Sequence, residues 1–374
     1  MKTYYPALDI LRFAAATMVL LGHVEFVLNF RWMEGFMPDS MEYEIGKAGV
    51  AIFFALSGFL LAKIAIEEKE SEAGFNVKQF FKNRALRILP LYYFVTLVSF
   101  FVLTRYSIFY IENETEELNE FLFQKLMLYL TLIPQFNNII FKERVTIVVQ
   151  FWTIGSEVIF YILLPFLMLV KKPLQLMIKL FVAFALLKFA SQLLSGKTEF
   201  EEAVSILYQL MFMNRIDCLL VGSIAALMFH KKHRWALSLS SRDNMIFGTG
   251  LIVIMLFLHR RIITGFDYTL YSAAIIPYLL YFTSGEQKQT NNFFLKALAF
   301  GGRISYSIYL THFIVLMVVC YLLYNYTLLH GAEFTFALYV VGAISVYPVS
   351  YTHLTMPTNR EVEISVGAVS LKKK

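Results

Sequence analysis

Cysteine is nearly missing from this chain. Cys218 and Cys320 are the only two in 374 residues, and each lies inside an apolar run. That excludes a small secreted scaffold stapled by disulfides. Charge is scarce as well: Asp, Glu, Lys and Arg together make 16%, against about a quarter in soluble domains. Only nine prolines are present, with no short-period repeat and no low-complexity tract, which excludes collagen-like and disordered chains. The sequence has no P-loop, no GxSxG elbow and no HExxH pair, so none of those soluble catalytic sites is signalled. It also has no Pro- or Ser-rich linker and no polar stretch large enough to form a separate domain.

Apolar residues fill the space instead. They make 58% of the chain, with 37 Phe and 22 Tyr, and mean hydropathy is +0.61. A soluble fold of this size could not hide so much apolar surface, whereas an all-α polytopic membrane protein can. Windows of about 20 mostly apolar residues are long enough to cross a bilayer. They fall near 7–27, 48–66, 88–105, 152–170, 174–194, 204–230, 244–260, 268–284, 303–325 and 334–351, ten transmembrane helices in all. The stretch 121–141 is also apolar, but Lys125, Pro134, Gln135, Asn137 and Asn138 interrupt it, so it reads as an interfacial or re-entrant helix.

Loop charge orients these spans. With the N-terminus inside, Lys63, Lys69, Lys78, Lys82, Lys171, Lys172, Lys231, Lys232, Arg234 and Arg242 all fall on the cytoplasmic side. The acidic run Glu112, Glu114, Glu116, Glu117 and Glu120 falls outside. This satisfies the positive-inside rule and places both termini in the cytoplasm. It also accounts for the net charge of +6 without a nucleic-acid partner. The first span holds Asp9, Arg12 and His23 and lacks a small-residue cleavage site, so it reads as a retained helix rather than a signal peptide.

Ionisable side chains inside spans are costly, and each is a functional candidate. Arg12 and His23 stand eleven positions apart, close to three turns, so they share one helix face roughly 16 Å apart. Asp9 sits one turn before Arg12 as its partner. Ser57 and Gly58 interrupt an apolar helix, where small residues also allow close packing. Arg84 and Arg87 stand one turn apart at the inner mouth of the third span, and their planar forks suit phosphate oxygens. Glu157 and Tyr161 share a side of the fourth span. Arg215 and Asp217, two apart, point to different faces. Ser305 and His312 share a face, with Tyr306 and Tyr309 as neighbours one turn apart. His230 and His233 have no nearby carboxylate or cysteine in sequence, so no metal site is expected.

Taken in order, these segments resemble the membrane-bound acyltransferase-3 family. The resemblance is carried by Arg12-x10-His23, by Phe53-Phe54 with Ser57-Gly58-Phe59, and by Arg84 and Arg87 with Pro90. It continues through Trp152, Glu157, Phe160 and Tyr161, and ends on SYSIYLTH at 305–312. It spans roughly 5–347 and implies transfer of an acyl group, most often acetyl from cytoplasmic acetyl-CoA, onto a hydroxyl of an envelope carbohydrate. By the same resemblance His23, Glu157 and His312 are the catalytic candidates. Arg12, Ser57, Arg84 and Arg87 are candidates for the CoA donor, and Tyr161, Arg215, Asp217, Tyr306 and Tyr309 for the acceptor. No metal is implied, the partners are membrane lipid and the glycan, and the location is the bacterial cytoplasmic membrane. A neutral imidazole, with an ordinary pKa of about 6.5, can take the hydroxyl proton or carry the acyl group itself.

Two alternatives remain at this stage. A glycan transporter or flippase also buries charge among many helices, but it would more often show internal repeats and paired broken helices. A non-catalytic membrane sensor is the other. The domain reading is one transmembrane unit over 1–348, followed by a polar tail over 349–374. That tail departs from the family's usual ending and reads like a translated adapter or frameshift product, so it is expected to be non-native.

Overall fold

The computed structural model describes residues 5–31, 33–72, 74–109, 118–141, 145–194, 201–257, 265–285 and 292–354. Among these residues all regular structure is helical. The acidic positions 112–117 and the tail from 355 lie outside the described residues.

Three long helices open the chain: α1 (Pro6–Phe30), α2 (Asp39–Glu70) and α3 (Val77–Phe101). Pro6 starts α1 at a position where its missing N–H costs nothing. Asn76 caps α3, its side chain accepting from the Gln79 amide at 3.0 Å. The stretch 121–141 folds as two short helices, α4 (Leu122–Leu130) and α5 (Gln135–Ile140), separated at Leu132, whose φ is 64°, and at Pro134. Nine and six residues are too few to cross a bilayer.

There follow α6 (Trp152–Leu169), α7 (Pro173–Leu194), α8 (Glu201–Asn214), α9 (Ile216–His230), the short α10 (Arg234–Leu239) and α11 (Arg242–Phe257). The chain ends on α12 (Asp267–Ala274), α13 (Ile276–Ser284), α14 (Phe293–Arg303), α15 (Ser305–Tyr326) and α16 (Gly331–Leu354). Seven described helices are long and apolar enough to span a membrane, and α8 with α9 forms an eighth candidate bent by 45°. The stretches near 244–260 and 268–284 are the 16-residue α11 and the α12–α13 pair broken at Ile275. Helix α16 continues past position 348 to Leu354.

Helix α2 is the centre of the molecule. Ala48, Ala51, Ala55, Ala62 and Ala65 are fully buried along it, and Gly58 completes a stripe of small residues at alternating three- and four-residue steps. Such a stripe lets neighbouring backbones come close, which is how helices associate where lipid provides no hydrophobic drive. The most extensive contacts of α2 are to α9 and α1, while α1 also packs on α14 and α15, and α15 on α16. By contrast α7 buries only 17% of its apolar window, against 72% for α2, so it stands at the periphery with its apolar side chains left for lipid.

Candidate functional site

Helices α1, α2, α3, α6 and α15 enclose a cavity of about 290 Å³. Its walls bring together residues from five separate sequence motifs: Arg12, Ser57, Arg84, Arg87, Glu157, Tyr161, Tyr306 and Tyr309. Arg12 donates to Asp9 at 2.7 Å, the pairing that their one-turn spacing implies. Tyr161 donates to Glu157 at 2.7 Å, again across one turn. The Arg84 guanidinium lies over the rings of Phe80 and Tyr161, and its Nε meets no acceptor among the described residues. Arg87 is exposed at the mouth. Three arginines therefore face two carboxylates, Asp9 and Glu157, and the charge left over favours an anionic ligand.

Tyr309 connects this cavity to the histidines. Its hydroxyl donates to the Gln150 carbonyl at 3.2 Å and accepts from Thr153 at 2.9 Å. Its ring lies 5.7 Å from that of His312. His23 and His312, 289 residues apart, meet at 2.6 Å between His23 Nδ1 and His312 Nε2, with the rings stacked at 4.8 Å. The hydrogen-bond pattern fixes the tautomers. His312 Nδ1 faces the Tyr309 carbonyl at 2.8 Å and the Ile308 carbonyl at 3.2 Å, which can only accept, so Nδ1 carries the proton. His312 Nε2 then accepts from His23 Nδ1, and the lone pair of His23 Nε2 is left free. That is the arrangement a general base or nucleophile needs.

Arg215 and Asp217 do not join this cavity. They lie in a second buried polar cluster and, as their spacing implies, serve different partners. Arg215 lies against the rings of both Phe212 and Tyr268, while Asp217 accepts from Lys188 at 3.2 Å and Thr269 at 2.5 Å. Ser57 lines the cavity while Gly58 beside it packs against α9, so functional and packing roles divide between adjacent residues. His230 does have a carboxylate companion, which short-range sequence spacing could not reveal: Glu70, at 2.7 Å across α2 and α9. No group of three metal-ligating side chains occurs among the described residues.

Several polar residues escaped the sequence reading. Lys188 is a fully buried lysine in the apolar helix α7, where a charge inside an apolar run is a signal visible in sequence. Glu25 lies inside the first span, where it accepts from the Phe36 and Met37 amides and from Tyr339. Lys47 bridges Glu44 at 2.7 Å and Asp267 at 2.5 Å. Only the fold reveals that last link, because Asp267 is 220 positions away.

The acyltransferase domain family, acyltransferase-3, matches residues 5–355 of the chain. The peptidoglycan O-acetyltransferase OatA of Listeria monocytogenes is 28% identical over 194 residues, which is 50% of this chain and 28% of that protein. The putative peptidoglycan O-acetyltransferase YrhL of Bacillus subtilis is 34% identical over 90 residues, 24% of this chain and 12% of that protein. The chain thus aligns with less than a third of the length of either relative. No solved structure matches it. With the family match running through every helix that lines the cavity, the chain is a multi-pass membrane protein belonging to the acyltransferase-3 family.

Proposed function

We propose that the chain transfers an acetyl group from acetyl-CoA, taken from the cytoplasmic face, to a hydroxyl of a cell-wall glycan. Peptidoglycan is the first acceptor to test, because both relatives above are named for it. The observation that carries the reading is the cavity itself, with an arginine cluster at one end and Tyr309, neighbour of the histidine pair, in its wall. The reading includes ten spans with both termini inside, so that Arg84 and Arg87 face the cytoplasm.

The cavity suits one part of the donor. At about 290 Å³ it lies just below the roughly 300–1,000 Å³ of ligand pockets, room for an acyl-pantetheine arm but not a whole nucleotide. The donor phosphates then belong at the mouth, where Arg84 and exposed Arg87 offer planar donors. When bound, the thioester supplies an activated acetyl carbonyl. His23 Nε2 takes the proton of the acceptor hydroxyl, the hydroxyl oxygen attacks that carbonyl carbon, the C–S bond breaks, and the proton passes to the departing thiolate. His312 holds His23 in the tautomer that leaves Nε2 free. Glu157 and Tyr161 position the arginine end, and Tyr306, whose hydroxyl donates to the Ile88 carbonyl at 2.9 Å, fixes α3 against α15.

The test is direct. Purified chain in proteoliposomes, given radiolabelled acetyl-CoA and soluble peptidoglycan fragments, is expected to make a base-labile labelled ester, whereas His23→Ala makes none. No ester from the parent chain, or an equal yield from His23→Ala, contradicts the reading.

A further inference from the structure

The cluster around Arg215 has no part in the steps above, yet it is built like a receptor. Arg215 joins α8 to α9 with a left-handed backbone, φ 45°, at the point where the two helices bend by 45°. That conformation is uncommon for a non-glycine residue. The side chain is fully buried, and none of its three guanidinium nitrogens meets an acceptor among the described residues. Its guanidinium carbon lies 3.6 Å from the centre of the Phe212 ring and 3.7 Å from that of Tyr268, two rings that stand at 79° to one another.

The neighbouring cations are already occupied, Lys47 by Glu44 and Asp267 and Lys188 by Asp217. The 15-residue α9 begins at the same point and adds the positive end of its dipole. A broken membrane helix whose half-helix N-terminus lies inside the bundle is a recurrent place for an anionic substrate group. A chain of packed aromatic rings links the site to the cavity: Tyr268 packs edge-on against Trp152, and Trp152 against Phe54 in the cavity wall.

We infer that Arg215 is the receptor for a carboxylate carried by the glycan acceptor, which it binds through the N–H groups that have no acceptor among the described residues. This inference rests on the acyltransferase reading above and names the substrate class of that site. A monoanion fits better than a phosphate dianion, because Lys47 and Lys188 are held by Glu44, Asp267 and Asp217, and Arg215 alone in the cluster offers guanidinium N–H groups with no acceptor among the described residues. A second added negative charge would have no partner.

Binding can be measured without any turnover, by calorimetry on the full chain in lipid nanodiscs with no acetyl-CoA. The probes are a peptidoglycan disaccharide with one free carboxylate and the same disaccharide with that carboxylate converted to an amide. The parent chain is expected to bind the acid form roughly tenfold tighter or more, and Arg215→Gln to bind both forms alike. Should Arg215→Gln fail to fold, Asp267→Asn gives the second arm. It removes a carboxylate within electrostatic reach of the same guanidinium, so the acid form should bind several-fold tighter and the amide form as before. Equal binding of the two forms by the parent, a preference that survives in Arg215→Gln, or an unmoved preference in Asp267→Asn overturns the inference. A parent chain that binds the acid form selectively yet transfers no acetyl group overturns the acyltransferase reading and leaves Arg215 as an anion receptor.

Discussion

His312 touches His23 and the carbonyls of its own helix, so its effect on a reaction passes through His23. Replacing it by Ala should lower kcat by about tenfold to a hundredfold, with the donor KM unchanged. His312→Gln should recover part of the loss, because an amide oxygen can accept the His23 Nδ1 proton; a variant with unaltered kcat would show that the pair is only packing. For Arg84 and Arg87 the proposed role is donor binding instead. Ala at both positions should raise the acetyl-CoA KM at least tenfold and leave kcat for saturating donor close to that of the parent. Lys at both should restore affinity only in part, because an ammonium cannot form the two parallel bonds of a guanidinium. Unchanged KM in the double Ala variant would move the donor site elsewhere. Residue identities at these positions were legible in the sequence because a charge inside an apolar span has few explanations. The contact between His23 and His312 was not, since nothing in a chain records which faces of helices 289 residues apart will meet.

Close helix packing sets the geometry that these residues use. A Cβ on Gly58 would lie 2.0 Å from the Leu219 carbonyl oxygen, and one on Gly222 would lie 1.9 Å from that of Ala55, so α2 and α9 interlock backbone to backbone. Ser223 completes the seam by donating to the Gly58 carbonyl at 2.9 Å. Gly58→Ala must push two helices apart and should destabilise the fold by about 3 kcal/mol, the upper end for overpacking. Gly250→Ala on α11 meets nothing within 4 Å and should be neutral or slightly stabilising through its helix propensity. Thermal unfolding of the two variants in detergent, compared side by side, checks the contrast; equal melting shifts would contradict it. Long apolar spans and the interrupted, non-spanning character of 121–141 could be read from hydropathy, whereas its division into two short helices at Leu132 and Pro134 could not. The break at Arg215 could not, because its left-handed backbone sits between apolar stretches that merge into one continuous window.

For the molecule as a whole, sidedness decides where donor and acceptor must enter. Exposed Lys82 lies on the first turns of α3 near Arg84 and Arg87, and exposed Glu120 follows the far end of that helix. Single cysteines at these positions, in a background lacking Cys218 and Cys320, report topology directly. A membrane-impermeant thiol reagent added to intact cells should label position 120 and spare position 82; labelling at 82 alone would invert the orientation. Loop charge carries this reading in the sequence, and no geometry inside the bundle could replace it, because the helices pack identically whichever side faces the cytoplasm. The most direct test of the account uses that sidedness together with the chemistry. Radiolabelled acetyl-CoA is supplied to proteoliposomes on one face only, with the glycan acceptor on the opposite face. The account predicts labelled ester when the donor meets the Arg84–Arg87 face and none when the two are exchanged. Transfer in both arrangements, or only with the donor on the other face, would contradict it.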